Sequence, residues 1–175
     1  DLAFTLLFQM RTLNVVKYVT ISLNIFDKRW IMKKIVFVCL GNICRSPMAE
    51  FVMKALNQEE ALQIESRATS SWEHGNPVHQ GTQKILRKYA ISFDPSKRSQ
   101  QINQLDFESS DLILGMDESN VDDLLQLSAG RYDDKIKLFR SGGVPDPWYT
   151  GDFEETYKLV MEGCQDWLQW IKGRQ

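Results

Sequence analysis

A short apolar segment, followed directly by a loop and a helical pattern, constrains the fold of this chain most strongly. Residues Ile35-Val36-Phe37-Val38 form a continuous apolar run rich in β-branched side chains, which is typical of a strand buried on both faces of a parallel sheet. A loop containing one glycine follows at 39–45, and Ser46-Pro47 then predicts a helix N-cap with proline at the first helical position. The sequence therefore predicts a strand, a loop and a helix in direct succession.

The remainder of the chain repeats this alternation of strand and helix patterns. Such alternation favours an α/β fold, a three-layer sandwich in which a small, mostly parallel sheet of about four strands has helices on both faces. The stretch 140–151 is rich in Gly and Pro, and we interpret it as a functional loop, not a domain boundary. The predicted strands are Leu62–Ala68, Asp111–Gly115 and Ile136–Phe139, and the predicted helices are Pro77–Tyr89, Glu118–Leu127 and Asp152–Ile171.

Residues 1–31 are more apolar than the rest of the chain and have no obvious place in this pattern. Arg11 and Lys17 interrupt the segment before it reaches the roughly 18–20 apolar residues that a membrane-spanning helix needs. It also lacks the basic start and small-residue cleavage site of a secretory signal. Loose alternation over Val15–Phe26 is consistent with a half-buried strand. We therefore predict neither a membrane span nor secretion.

Charge and cysteine content exclude several functional classes. The chain has 21 Lys and Arg against 23 Asp and Glu, and so lacks the basic excess expected of a protein that binds nucleic acid through phosphate contacts. Three cysteines are too few for a disulfide framework and favour a reducing, cytoplasmic compartment. The two histidines, His74 and His79, have no metal-ligand spacing, so we predict that they are surface residues and that no metal is bound.

The loop at 39–45 has the character of an anion-binding site. Ligands of open parallel sheets bind beyond the carboxyl ends of the strands, where backbone N–H groups and a helix N-terminus favour negative charge. The loop lacks the Gly-Lys-Ser/Thr ending of a nucleotide P-loop, but it begins with Cys39 and ends with Arg45. The same N–H groups would stabilise a nucleophilic thiolate at Cys39, and Arg45 can bind two phosphoryl oxygens. Asn42 tolerates the left-handed backbone that such a loop requires.

The segment Val38–Glu50, Val-Cys-Leu-Gly-Asn-Ile-Cys-Arg-Ser-Pro-Met-Ala-Glu, closely resembles the signature loop of the low molecular weight protein tyrosine phosphatases. Further segments resemble the landmarks of that family in the same order, and the resemblance covers residues 32–175. These segments are Ala68–Trp72, Gly75–Pro77, Met116–Asn120 and Asp146–Tyr149.

The resemblance implies that the chain hydrolyses protein phosphotyrosine and small aryl phosphates. It implies that Cys39 attacks phosphorus to form a cysteinyl-phosphate, that Arg45 binds the equatorial oxygens, and that Asp146 protonates the leaving phenolate and then activates water. These roles suit a loose phosphoryl transition state with a poor leaving group. The implied partners are a phosphotyrosine-bearing protein and inorganic phosphate as product, with no cofactor, and the implied state is a monomer or weak dimer.

The resemblance also implies a set of substrate-binding residues, several of which have a second interpretation. Ser46 donates a hydrogen bond to Cys39, or is only an N-cap. Cys44 forms a reversible disulfide with Cys39, or is a small buried apolar residue. The three aromatic residues of the set match positions that flank the cleft of the family. The full set is Leu40, Gly41, Asn42, Ile43, Cys44, Ser46, Trp72, Trp148 and Tyr149.

Two departures from the family pattern and three alternative functions accompany this prediction. Lys97 stands near the place of a family histidine, and Arg67 stands where a small residue is usual. A protein arginine phosphatase would have Thr in place of Ile43. An arsenate reductase would need a second cysteine pair, whereas only Cys164 remains, which we interpret as a core residue. A binding module without turnover would need neither Cys39 nor Asp146.

The chain is therefore expected to contain two unlike parts. Met32, followed by Lys33 and Lys34, has the character of a natural chain start, and the family resemblance begins there. We expect residues 32–175 to form the phosphatase domain. We expect residues 1–31 to be a poorly packed and dispensable extension.

Overall fold

The computed structural model describes residues 32, 34–57 and 62–173. The predicted extension at 1–31, with its predicted strand at Val15–Phe26, lies outside these residues. No helix among the described residues has the length and apolar character needed to cross a membrane.

In the part of the chain that the structure describes, four parallel strands form one sheet in the order β2-β1-β3-β4. Residues 35–38 are completely buried, which confirms the prediction of a strand covered on both faces. Because β1 lies inside the sheet, its carboxyl end, at Cys39, opens near the middle of the sheet edge where ligands of parallel sheets bind. The strands are β1 (Lys34–Cys39), β2 (Gln63–Ala68), β3 (Leu112–Gly115) and β4 (Ile136–Leu138).

Helices cover both faces of this sheet, so the predicted three-layer sandwich is confirmed. Successive side chains of a strand point to opposite faces; Ile35 and Phe37 pack with α1, α2 and α6, whereas Val36 and Val38 pack with α3 and α4. The helices of the described residues are α1 (Arg45–Leu56), α2 (Gln80–Lys88), α3 (Gln104–Ser109), α4 (Glu118–Leu127), α5 (Pro147–Thr150) and α6 (Phe153–Lys172).

Several predicted details were wrong. Helix α1 begins at Arg45, and Cys44 at its N-cap makes no side-chain capping bond, so Ser46 is not the N-cap. Pro47 is the third helical residue, where its missing N–H removes no helical hydrogen bond. Helix α2 begins three residues after the predicted Pro77. Helix α3 was missed, although Asn103 and Asp106 form a capping box at its start.

Candidate active site

The loop at 39–45, called the signature loop below, is curled around the Cys39 thiol. Asn42 has φ of +53°, which confirms the predicted left-handed backbone, and its N–H donates to Cys39 Sγ at 3.3 Å. The Asn42 amide nitrogen donates to Ser46 Oγ at 2.9 Å and to Ser66 Oγ at 2.8 Å. The amide oxygen accepts from the Gln100 N–H at 3.2 Å. Every polar group of this buried side chain is therefore hydrogen-bonded.

A chain of hydrogen bonds links the thiol to a buried carboxylate on α1. Ser66 Oγ lies 2.5 Å from Glu50 Oε2. Because an ionised carboxylate can only accept, Ser66 donates its single hydroxyl hydrogen to Glu50. The Ser66 oxygen must then accept from Asn42, whose second amide hydrogen is directed at Ser46. The hydroxyl hydrogen of Ser46 remains free to donate, either to Arg67 O at 3.2 Å or to Cys39 Sγ at 3.1 Å. The carboxylate of Glu50 thus determines which group donates in each of these hydrogen bonds. It leaves the Ser46 hydroxyl as a possible donor beside the Cys39 thiol.

Lys97 neutralises the Glu50 carboxylate, at the buried end of these hydrogen bonds. Its Nζ lies 2.9 Å from Glu50 Oε2 and donates to Ser66 O at 3.1 Å. Burial alone would raise the pKa of Glu50, but the charge of Lys97, together with hydrogen bonds from Lys54 and Ser66, holds that pKa below its ordinary value. Lys97, which stands near the place of a family histidine, therefore lies directly behind the signature loop. Arg67, the other departure, instead pairs with Glu65 and Asp106.

Arg45 is buried at the end of the signature loop and held by two carboxylates. Its Nη1 pairs with Asp117 and donates to Val144 O at 3.1 Å, and its Nη2 donates to Asp146 Oδ2 at 2.6 Å. Burial opposes its charge, but the negative charge at Cys39 and the contacts with Asp117 and Asp146 raise the pKa of Arg45. Its Nε is buried and has no hydrogen-bond partner among the described residues. An unpaired donor in this position indicates an anion site, because a buried N–H without an acceptor is costly.

The segment after β4 brings Asp146 to the signature loop. Gly143 has φ of +68°, and a Cβ there would lie 3.2 Å from Asp117 Cα, so glycine permits this close approach. The Val144 N–H donates to Met116 O at 2.8 Å. Asp146 then accepts from the Trp148 N–H at 3.0 Å and caps α5. The predicted functional loop therefore contains a short helix that the sequence analysis missed.

A cleft of about 250 Å³ brings most of the predicted site residues together. Asn42, Arg45 and Ser46 are buried and do not line the cleft. Trp72, Trp148 and Tyr149, called the aromatic wall below, are 79%, 57% and 78% exposed. Ser70 and Glu73 also line the cleft and were missed, since single polar residues have no distinctive sequence signal. The predicted residues in the lining are Cys39, Leu40, Gly41, Ile43, Cys44, Trp72, Asp146, Trp148 and Tyr149.

His79 is not the plain surface residue that was predicted. Its Nδ1 accepts from the Gly81 N–H at 3.1 Å and caps α2, and its backbone N–H donates to Ile43 O at 2.8 Å. Its ring stacks on Phe153 at 5.1 Å and meets the edge of Trp148 at 5.7 Å between centroids. His79 thus touches both the signature loop and the aromatic wall. No spacing rule would have found it, because these contacts join distant segments.

The other two cysteines are also buried free thiols. Cys44 lies in the cleft lining, and burial is the main cause that raises the pKa of its thiol. Cys164 is completely buried on α6, where its thiol faces Ala49 O at 3.7 Å. The prediction that Cys164 is a core residue is confirmed.

An α/β sandwich with a thiol in an anion-binding loop defines the class of protein, and comparison with known proteins identifies the family. Residues 34–175 match the model for the low molecular weight phosphotyrosine protein phosphatases. The low molecular weight protein-tyrosine-phosphatase YfkJ of Bacillus subtilis is 39% identical over 152 residues, covering 81% of this chain and 97% of that protein.

Solved structures agree with this match. A low molecular weight protein tyrosine phosphatase from Streptococcus pyogenes has a TM-score of 0.78 and 63% identity, covering 79% of this chain and 92% of that one. A Drosophila arginine phosphatase has a TM-score of 0.72 and 29% identity, covering 79% of this chain and 98% of that one. The chain belongs to the low molecular weight phosphotyrosine protein phosphatase family, and it is a hydrolase.

Proposed function

We propose that this phosphatase hydrolyses phosphotyrosine in proteins, and small aryl phosphates, through a cysteinyl-phosphate on Cys39. The observation that carries the proposal is the grouping of three functions in one place: the Cys39 thiol, the unpaired buried Nε of Arg45, and the Asp146 carboxyl 2.6 Å from Arg45 Nη2. A nucleophile, an oxyanion-binding cation and a proton carrier are what phosphoryl transfer to a thiolate requires.

In the first step, the Cys39 thiolate attacks phosphorus while the bond to the phenolic oxygen breaks. Asp146 transfers its proton to that oxygen, because phenolate is a poor leaving group. In the second step, water attacks the cysteinyl-phosphate, Asp146 accepts a proton from the water, and the phosphorus–sulfur bond breaks. Inorganic phosphate and the thiolate result. Ser46 donates a hydrogen bond to that thiolate and so favours its departure.

Arg45 binds the phosphoryl group through Nε and Nη2, a planar pair of donors that matches two equatorial oxygens. Asp117 and Val144 O hold Nη1 on the other side, so the plane of the guanidinium stays directed at the loop. The N–H groups of Leu40, Gly41, Asn42, Ile43 and Cys44 complete the anion site.

The aromatic wall binds the phenyl ring of the substrate, with Ile43 as an apolar contact at the base of the cleft. Exposed aromatic residues around a narrow cleft favour a flat aryl group. Ile43 and the pair Trp148 and Tyr149 therefore support phosphotyrosine over phosphoarginine as the substrate.

The test compares wild type with Cys39→Ser and Asp146→Asn on p-nitrophenyl phosphate, a phosphotyrosine peptide and a phosphoarginine peptide. We expect no turnover by Cys39→Ser, and a larger loss by Asp146→Asn for the phosphotyrosine peptide than for p-nitrophenyl phosphate, whose leaving group is better. Equal activity of wild type and Cys39→Ser would refute the mechanism. Faster hydrolysis of phosphoarginine would favour an arginine phosphatase, and binding without turnover would favour a non-catalytic module.

We also propose that residues 32–175 suffice for activity and that residues 1–31 are dispensable. The family match begins at residue 34, which supports this division. Deleting residues 1–31 should leave kcat and KM for p-nitrophenyl phosphate within about twofold, a change below about 0.5 kcal/mol. An unfolded or inactive product would overturn it. Three free cysteines support a cytoplasmic location, and we expect a monomer or weak dimer.

A further inference from the structure

A second groove, of about 430 Å³, adjoins the cleft and is not used by the proposed mechanism. One side is the exposed edge of α4, which contributes Asp123, Gln126 and Leu127. These residues occupy positions i, i+3 and i+4, so they share one helix face. The other side is formed by the signature loop, the segment after β2 and Trp72.

The groove and the cleft are continuous, because Leu40, Ser70 and Trp72 line both. Thr69 and Ser70, which lie between them, are hydrogen-bonded to the signature loop. The Thr69 N–H donates to Cys39 O at 2.9 Å, and Ser70 donates to Leu40 O through both its N–H, at 3.1 Å, and its hydroxyl, at 2.9 Å. A peptide with its phosphotyrosine in the cleft would therefore extend past Trp72 directly into the groove.

The α4 side of the groove presents both an acidic group and an apolar group. Asp123 accepts from Thr69 Oγ1 at 2.8 Å through one oxygen, and it forms no ion pair within the part of the chain that the structure describes. Its second oxygen is available to a cation. Leu127 is about half exposed, 45%, and with Leu40 it offers an apolar contact. Glu73 adds a second acidic side chain in the lining of the adjoining cleft.

We infer that this groove binds the segment of the protein substrate next to phosphotyrosine, and that it selects a Lys or Arg facing Asp123 beside an apolar residue against Leu127. The inference rests on the proposed function, because it takes phosphotyrosine as the group in the cleft. Continuity with the cleft supports substrate as the occupant, and the Asp123 carboxylate, which has no ion pair among the described residues, supports a positively charged side chain.

The experiment measures kcat/KM for pairs of phosphotyrosine peptides that differ only in Lys or Glu at each of three positions on either side. Wild type should prefer Lys by about three- to fivefold at one or two positions on one side, as expected of a partly exposed charge pair. Asp123→Asn keeps the acceptor for Thr69 but removes the charge, so the Lys-to-Glu ratio at those positions should fall towards one. Asp122→Asn, the exposed neighbour outside the groove, should retain the wild-type ratio.

The apolar half of the groove has its own pair of variants. Leu127→Ser should reduce the preference for Leu over Ser at a flanking position by about threefold, the value of one partly buried side chain. Leu105→Ser, at an exposed leucine of α3 outside the groove, should not change that preference.

The outcomes separate this inference from the proposed function. An unchanged ratio in Asp123→Asn, or an equal fall in Asp122→Asn, would overturn the groove as a selective site. If p-nitrophenyl phosphate, which has no flanking residues, still requires Cys39, the proposed function survives that failure. Turnover of p-nitrophenyl phosphate without Cys39 would instead refute the proposed function, and the groove inference with it.

Discussion

The signature loop and the aromatic wall meet at one cleft but are built in opposite ways. Cys39 and Arg45 are 3% and 2% exposed, and Asn42 joins the loop to Glu50 through the hydroxyl of Ser66. The aromatic wall is more than half exposed at every position. The phosphoryl group is the same in every substrate, so its site can be rigid, whereas the surrounding peptide varies and needs an open surface. Changes to the loop should therefore affect stability and activity together, and changes to the wall should affect activity alone.

The largest effect is expected from Asn42→Ala. This variant removes three side-chain hydrogen bonds and places a Cβ-bearing residue without a polar side chain at φ of +53°. We expect kcat to fall about 100-fold, since small displacements of catalytic groups have effects of that size, and the free energy of unfolding to fall by about 3 kcal/mol. Steady-state kinetics and urea unfolding measure the two effects.

A second variant at Asn42 separates its two roles. Asn42→Gly permits the same backbone but lacks the amide, so it should lose nearly as much activity as Asn42→Ala. Full activity in Asn42→Gly would mean that backbone conformation alone matters and that the hydrogen-bond chain does not position the thiol.

The next largest effect is expected from removing the positive charge that compensates the buried Glu50 carboxylate. Lys97 and Lys54 both contact Glu50, but their side chains are 14% and 46% exposed. Lys97→Met leaves a buried carboxylate poorly compensated and should lower the free energy of unfolding by about 3 kcal/mol. Lys54→Met should lower it by less than about 1 kcal/mol, as for exposed ion pairs. Equal losses in chemical unfolding would contradict the contrast in burial.

A smaller effect is expected at the aromatic wall. Tyr149→Ala should raise KM for a phosphotyrosine peptide about fivefold, within the range of about 0.5–1.5 kcal/mol for aromatic contacts. The melting temperature should stay within about 1 °C of wild type, because exposed side chains contribute little to stability. A large fall in melting temperature would show that the wall is part of the core and would remove the contrast with the loop.

The smallest expected effect is the pH dependence of the stability that Glu50 contributes. Because the pKa of Glu50 is lower in the folded protein than its ordinary value of 4.5, its ionised form stabilises the fold above about pH 4.5, and this contribution is lost as pH falls through the folded pKa. The difference in unfolding free energy between wild type and Glu50→Gln should therefore be greatest near neutral pH and shrink towards pH 3. A difference independent of pH would show that Glu50 does not act through its charge.

The sequence predicted this fold well where the determinants are local. The run at 35–38 identified β1, helix α4 was predicted at its observed bounds of Glu118–Leu127, and the left-handed Asn42 followed from residue type. Helix α3 was missed because it is short and polar. Ser46 was misplaced because a Ser-Pro pair resembles an N-cap, although its hydroxyl belongs to the hydrogen-bond chain.

The site was predictable as a set of residues but not as a set of contacts. Cys39, Arg45 and Asp146 were named from spacing and resemblance. The pairing of Lys97 with Glu50 and the contacts of His79 with Ile43 and Trp148 join segments far apart in the chain. Such pairings depend on how the helices pack on the sheet, and no local sequence pattern predicts them.

The central position of β1 has a consequence for how the protein opens. β1 has a strand on each side, whereas β2 and β4 are the edge strands among the described residues, and edges open locally at lower free energy than the interior of a sheet. We therefore expect the amide hydrogens of β1 to exchange with deuterium mainly through global unfolding, and those on the outer sides of β2 and β4 to exchange earlier. Cys39 is thus anchored to one of the two interior strands of the sheet, and opening of an outer strand leaves its position intact.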